Sequence, residues 1–379
     1  MMPNLDRRSW IRLSATGLLA SAAVSQRSAH AQSAPATPDT GYPFTNLSIN
    51  ENQFGPSPKV AEAIVKAAGL SHEYPDIPRV ALTDAIAKLN GLNKDNVLIG
   101  AGSADVLYGA GYFFGLKDIE IVSADPSFHI MSRVAEKVGS TLKTVRHNSM
   151  HGIDLNALKD AVSEKTGLIY ICNPENPTGA LLGPEELSSF CKEMSEKCPI
   201  VVDEAYIDYA GEATKLSMIP LVKEGYPIVV TRTFSKSYGL GGMRVGYAIA
   251  PPELAKGVGS QYVTGIGCGA SRLSIEAALA AYSDQSYLKT VYKKNAAGRD
   301  QITALLQDLN LEPIPSKAGF VLVPVKQDSK ALADGIFYSS QVKISPRNYY
   351  NQNYLRISTG RPDQLEQLEK GLRLVMKAA

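Results

Sequence analysis

Over residues 60–281 the chain alternates short apolar runs with amphipathic stretches. Val97-Leu98-Ile99, Ile119-Glu120-Ile121-Val122, Leu168-Ile169-Tyr170-Ile171, Ile200-Val201-Val202, Ile228-Val229-Val230 and Val245-Gly246-Tyr247-Ala248-Ile249 are mostly apolar and rich in β-branched residues. Runs this short and continuous predict buried strands, and stretches such as 154–164 and 184–197 predict helices between them. Strands of this kind separated by helices imply an α/β fold whose mostly parallel central sheet is covered by helices on both faces. Ligands of such sheets collect beyond the carboxyl ends of the strands.

The C-terminal part follows another pattern. A long helical period over 286–309 precedes Phe320-Val321-Leu322-Val323-Pro324, Val342-Lys343-Ile344 and Tyr354-Leu355-Arg356-Ile357, which predicts a smaller α+β domain. Residues 41–58, rich in Asn, Pro and Gly, read as an arm and not as a core element. The expected organisation is a leader over 1–31, a flexible lead-in and arm over 32–58, a large domain over 59–281 and a small domain over 282–379.

Length agrees with this division, since 379 residues exceed what one hydrophobic core usually supports. Charge narrows the partners. With 39 basic and 37 acidic residues the net charge is +2, and without a basic face nucleic acid is excluded as a main partner. The leader reads as an export signal. Asp6-Arg7-Arg8-Ser9-Trp10-Ile11-Arg12 precedes a mildly apolar stretch over 13–24, and Ala29-His30-Ala31 follows. A charged start, a short apolar middle and an A-x-A end make a cleavable signal too short to span a membrane as a mature helix. The adjacent arginines resemble a twin-arginine signal, so the expected location is periplasmic or otherwise exported, with Gln32 first and no membrane attachment after cleavage. Cys172, Cys191, Cys198 and Cys268 have no metal-ligand spacing and no metal is expected. Cys191 and Cys198 lie about 10 Å apart along a predicted helix, too far to bridge, and no disulfide is expected.

Candidate chemistry falls just after the predicted strands. In Thr231-Arg232-Thr233-Phe234-Ser235-Lys236-Ser237, a lysine follows two hydroxyls, and Gly239-Leu240-Gly241-Gly242 leads on to Arg244. A lone loop lysine is ordinarily solvated; a desolvated one condenses with aldehydes, and hydroxyls with a guanidinium suit a phosphate. Asp203, in Val201-Val202-Asp203-Glu204-Ala205-Tyr206, ends an apolar run where a carboxylate can keep a pyridinium nitrogen protonated. Tyr206 and the Asn176 of Asn173-Pro174-Glu175-Asn176-Pro177-Thr178-Gly179 can reach a ring oxygen. Ala101-Gly102-Ser103-Ala104-Asp105 opens a predicted helix whose free N–H groups suit phosphate. Phe128, in Asp125-Pro126-Ser127-Phe128, can stack on a planar cofactor or pack in the core.

These motifs, in this order and spacing, resemble the fold-type I aminotransferases over residues 46–373, and within them the histidinol-phosphate aminotransferase-like group. The arm Asn50-Glu51-Asn52-Gln53-Phe54-Gly55-Pro56-Ser57-Pro58 and Tyr74-Pro75-Asp76 also have counterparts there. The resemblance implies pyridoxal 5'-phosphate as cofactor, held by Lys236 as a Schiff base. It implies Asp203 on the ring nitrogen, Asn176 and Tyr206 on the ring hydroxyl, and Phe128 against the ring. Ser103, Ala104, Ser235 and Arg244 match the phosphate cup, with Thr233 a further candidate. Tyr74 matches a residue that reaches the neighbouring subunit's phosphate, which implies a homodimer with shared sites. Arg356, Arg347 and Asn52 match the substrate side.

The implied activity is transamination between an L-amino acid and a 2-oxo acid. An exported amino-acid oxidase or deaminating lyase on the same site, and a non-catalytic effector-binding protein, are the alternatives. Departures from the group's pattern are Gln53-Phe54 in place of Pro-Tyr, Glu73 before Tyr74, Glu175, and His129, expected as an exposed helix-start residue. These changes, with export, point away from a phosphorylated substrate. Arg356 implies an α-carboxylate. For the distal group the residues leave two options, an acidic or polar one read by Arg347 or an aromatic one among Tyr262, Tyr349 and Tyr350.

Overall fold

The computed structural model describes residues 42–262 and 269–378. The expected leader, most of the lead-in and Cys268 lie outside the described residues. Among the described residues there are twelve strands: β1 Thr45–Asn46, β2 Val97–Gly100, β3 Glu120–Asp125, β4 Thr141–Arg146, β5 Thr166–Cys172, β6 Ile200–Asp203, β7 Ile228–Thr233, β8 Gly246–Ile249, β9 Phe320–Val325, β10 Val342–Lys343, β11 Ser345–Tyr349 and β12 Gln352–Ser358.

Strands β2 to β8 form one sheet in the order β2-β8-β7-β6-β5-β3-β4. Its four pairings among β3 to β7 are parallel, while β8 runs antiparallel to both β7 and β2. The connection accounts for the exception. A parallel return is usually carried by a crossover helix, and the twelve residues 234–245 between β7 and β8 contain only a 3₁₀ turn. Reversal of β8 places its amino end, with Arg244 just before it, beside the carboxyl ends of the other strands.

Both faces of the sheet are buried, and the two-residue period of a strand divides its side chains between them. From β5, Ile169 and Ile171 join one apolar cluster with Val202 and Val230. Leu168, Tyr170 and Cys172 join the other, against Val106, Leu107 and Ala110 of the helix Ser103–Gly115. The edge strand β4, TLKTVR, is largely exposed. Its polar composition gave no strand signal. Strand β11 is half polar and was also not predicted from its residues.

The C-terminal lobe has its own cluster, in which Val321, Val323, Leu355 and Ile357 of an antiparallel sheet β11-β12-β9 pack on Leu365, Leu368 and Leu372 of the helix Pro362–Ala378. The described residues belong to one compact unit. Part of the expected arm corrects its reading. Strand β1 pairs with β10, and Leu47, fully buried, lies in the C-terminal cluster. A polar composition around one apolar residue hid a core anchor. Among the described residues no helix is long and apolar enough to cross a membrane, and Cys172, Cys191 and Cys198 are buried and free.

Leu47→Ala tests this anchoring. Truncating a fully buried leucine is expected to cost about 2–5 kcal/mol, read as a lower denaturant midpoint; a change under about 0.5 kcal/mol would show that the arm is not part of the core.

Candidate active site

A cleft of about 720 Å³ opens at the carboxyl ends of the parallel strands. Ser103, Ala104, Phe128, Asn176, Asp203, Tyr206, Thr233, Ser235, Lys236, Arg244, Arg347 and Arg356 all line it. The chain brings them from both lobes, over 250 residues apart at the extremes: those of the large lobe lie at the carboxyl ends of the parallel strands or, for Arg244, just before the reversed strand β8, and Arg347 and Arg356 come from the hairpin β11–β12.

Strand β6 ends at Asp203 and is followed directly by Glu204, and the two acids have opposite fates. Glu204 is buried and saturated: Arg232 donates to Oε2 from Nε and Nη2 at 3.0 and 2.9 Å, and the Ser217 hydroxyl and Met218 N–H also donate to the carboxylate. Asp203 is equally buried but forms no ion pair among the described residues. Its Oδ1 accepts from the Thr231 hydroxyl at 2.8 Å and the Ala205 N–H at 3.2 Å, and its Oδ2 from Tyr170 at 3.4 Å. Burial pushes its pKa up to about 6, against the pull of these donors. A buried carboxylate lacking a cation suits a cationic ring nitrogen. Thr231 went unnoticed in the sequence; the register Asp203↔Thr231 between β6 and β7 is what brings it alongside.

Lys236 is half-buried, and its Nζ donates to the Ile49 carbonyl at 3.2 Å. Burial, with Arg356 and Arg244 nearby, lowers its pKa to about 8, while Glu51 and Asp203 oppose that shift. Nζ lies 5.7 Å from the Tyr206 ring centroid. The Tyr206 hydroxyl accepts from Asn50 Nδ2 at 3.0 Å, and burial raises its pKa to about 12, so it remains a donor. Asn50 also escaped the sequence reading as a site residue.

An anion cradle lies at the start of the helix Ser103–Gly115, whose N-terminus has no side-chain cap. Two glycines let it close up. A Cβ on Gly102, at φ +91°, would lie 2.4 Å from Arg244 Nη2; one on Gly246 would lie 2.3 Å from the Ser103 nitrogen. Arg244 Nη1 also donates to the Ser235 hydroxyl at 3.2 Å and to Gly241 O at 2.9 Å. The Thr233 hydroxyl accepts from the Ser235 N–H at 3.1 Å and so shapes this loop. Free N–H groups, a hydroxyl and a guanidinium converging on one spot fit a phosphate.

On the small-lobe side, Arg356 is buried and donates to Asn176 Oδ1 at 2.7 Å and to Ser48 O at 3.1 Å. Neither Arg356 nor Arg347 has a carboxylate within ion-pair distance among the described residues, unlike Arg232. Tyr349 lines the cleft too. Tyr350 instead gives its hydroxyl to Asp125, and the side chain of Tyr262 lies outside the described residues.

Two expectations change. Asn52 does not line the cleft: its amide donates to Ser237 O at 2.9 Å and Gly55 O at 3.3 Å, and its Oδ1 accepts from the Phe54 N–H. Its bond to Ser237 O ties the arm to the residue after Lys236. His129, expected at the surface, begins its helix with a side chain only 9% exposed, its Nε2 2.9 Å from Asp125 Oδ1; the neighbouring acid draws it inward to the cleft wall. Tyr74, expected to reach a neighbouring subunit and not its own cleft, lies outside this cleft with 73% of its surface exposed. Glu175 is fully buried and accepts from Ser127 at 2.7 Å and from the Asn176 N–H at 2.8 Å, with His147 Nε2 3.6 Å away.

The lowered Lys236 pKa has a kinetic sign. A neutral amine is the form that condenses with an aldehyde, so the rate at which cofactor-free protein takes up pyridoxal phosphate should rise with pH through about 8. Absorbance stopped-flow reads it. An inflection near the ordinary lysine value of about 10.4 would show that the amine is not desolvated.

Comparison with known proteins agrees with this geometry. The family model for aminotransferase class I and II matches residues 42–372. The chain is 30% identical over 332 residues to a histidinol-phosphate aminotransferase of Moorella thermoacetica, covering 87% of this chain and 85% of that one. It is 33% identical over 328 residues to histidinol-phosphate aminotransferase 2 of Methylococcus capsulatus, covering 85% and 88%. The solved histidinol-phosphate aminotransferase of Sinorhizobium meliloti, in complex with pyridoxal-5'-phosphate, superposes with a TM-score of 0.80 at 30% identity, covering 88% of this chain and 91% of that one. The chain belongs to the class I and II aminotransferases, and is a pyridoxal-phosphate-dependent enzyme that exchanges amino groups between amino acids and 2-oxo acids.

Proposed function

We propose that this enzyme is an exported homodimeric transaminase for L-amino acids with an anionic distal group. The observation that carries the substrate reading is the pair Arg356 and Arg347, which line one cleft with no acidic partner among the described residues. Two uncompensated guanidinium groups favour a donor with two acidic ends, and Arg binds carboxylates bidentately. The tyrosines offer less to an aromatic donor, since Tyr350 is engaged elsewhere.

The residues fit pyridoxal phosphate, which when bound supplies an aldehyde and an electron-withdrawing ring. The helix N-terminus at Ser103 and Ala104, with Ser235 and Arg244, holds the phosphate, and Thr233 shapes the loop beneath it. Asp203 keeps a proton on the ring nitrogen. Asn176 and Tyr206 reach the ring hydroxyl, and Phe128 flanks the ring. Arg356 grips the α-carboxylate while Arg347 reads the distal acid. Lys236 is the proton carrier. As a neutral amine it would take the proton from the substrate α-carbon as base and give it back as acid. Tyr170 and Thr231 act through Asp203 by fixing the orientation of its carboxylate.

A second copy is supported by the exposed apolar residues Tyr74, Ile77 and Val80 around the start of one helix, since a patch of this kind on a water-facing surface marks an interface. Tyr74 then completes the partner's phosphate cup. Export rests on Arg7-Arg8, the apolar stretch after them and Ala29-His30-Ala31.

The chain from Gln32 onward, loaded with cofactor, is to be tested against a panel of amino acids including aspartate, glutamate, tyrosine and histidinol phosphate. Loss of the visible band with an acidic amino acid, and its return with the matching 2-oxo acid, is the expected result. Arg347→Ala should then raise KM for that donor by roughly tenfold to a hundredfold, the range for a lost charged hydrogen bond. A response confined to histidinol phosphate or to aromatic donors would sink the substrate reading. Separately, residues 1–31 fused to a reporter should direct export, and Arg7→Lys with Arg8→Lys should block it. Export that survives this change would remove the twin-arginine assignment.

A further inference from the structure

The hairpin β11–β12 carries Arg347 and Tyr349 on one strand and Arg356 on the other, and all three line the cleft. Its two-residue turn is Tyr350-Asn351, with φ +51° and +63°. Turns of this hand match the twist of the strands but favour Asn and Gly. Asn351 obeys that preference; Tyr350 does not. A bulky residue held in the left-handed region points to a use for its side chain.

The contacts of Tyr350 supply that use. Its hydroxyl leaves its own lobe, donates to the Asp125 carboxylate and lies 3.1 Å from the Asp125 carbonyl oxygen. The Arg146 guanidinium lies 4.1 Å from the centre of its ring, within cation–π range. Asp125 and Arg146 are the last residues of β3 and β4 and are partners in register. The other Asp125 oxygen pairs with His129, and the chain from Asp125 runs directly into Pro126-Ser127-Phe128. One side chain thus ties the hairpin tip to the strand end that carries Phe128.

We infer that Tyr350 is a positioning residue for the substrate: by latching the hairpin tip to Asp125 and Arg146, it holds Arg347 and Tyr349 in place over the cleft. This rests on the reading of the cleft as the amino-acid site. Burial and the adjacent Asp125 push the Tyr350 hydroxyl up to about 12, so the latch keeps its proton at neutral pH. None of the groups proposed to hold the cofactor's ring or phosphate belongs to the latch, and cofactor binding should be indifferent to it.

Tyr350→Phe removes the hydroxyl and leaves the ring on Arg146. On the holoenzyme, KM for the amino-acid donor should rise about fivefold, as for one lost hydrogen bond, with kcat nearly unchanged. Pyridoxal phosphate titrated into cofactor-free protein should bind the variant as it binds the parent. Amide hydrogen exchange across β11 and β12 should accelerate, a readout that needs no substrate. Tyr350→Phe with Asp125→Asn should raise KM less than the product of the two single effects, because both cut one contact. An unchanged KM with unchanged exchange overturns the inference. So does a parallel loss of kcat, KM and cofactor affinity, which marks general loosening. If the parent protein itself transaminates no amino acid, the cleft reading fails, while the exchange measurement still decides the latch.

Discussion

The site is organised around a carboxylate buried without a cation among the described residues. Taking Asp203 out of water at the end of β6 costs several kcal/mol, and Thr231, Ala205 and Tyr170 offset only part of it with hydrogen bonds. Its neighbour Glu204 shows the structural solution to the same problem, a bidentate arginine with further donors around it. The contrast between adjacent residues separates an acid that holds the fold together from one left ready for a positively charged ring. The same shortage of counter-charge recurs across the cleft, where Arg356 and Arg347 have no carboxylate within ion-pair distance among the described residues and Lys236 is pushed toward its neutral form. An interior with this many unpaired groups is poised to bind anions and a protonated heterocycle.

That poise depends on strand direction. Parallel strands deliver their loops to one edge of the sheet, and the single reversed strand, β8, adds Arg244 to that edge from the opposite sense. Gly102 and Gly246 then allow backbone and guanidinium to approach more closely than any side chain would permit. The small lobe contributes through a different device. Its hairpin presents two arginines, and the N-terminal segment, anchored by Leu47 in the small-lobe cluster, carries Ile49 and Asn50 across to Lys236 and Tyr206. Cofactor side and substrate side are therefore linked through backbone that crosses between the lobes.

Much of this was legible in the residues. The apolar runs marked six of the seven central strands, and Lys236, Asp203, Asn176 and Arg244 stood just after or just before them. What escaped notice had weak local signals. Strands β4 and β11 are too polar to show an apolar period. Thr231 became a partner of Asp203 only through strand register, and Asn50 only through the path of the arm. Asn52 and His129 had motif-based or exposure-based readings that the packing reversed, one by satisfying its amide on the backbone, the other by pairing with Asp125.

The architecture and the residue types available at each strand end could be read from the residues alone, because periodicity and local spacing are properties of neighbouring residues, and the cofactor class followed from the resemblance of the motifs to a known family. The tertiary structure alone decided which of two adjacent acids lacks a cation, which tyrosine is engaged across the lobes and which arginines remain unpaired. Those are matters of desolvation and counter-charge, set by residues brought together from distant parts of the chain.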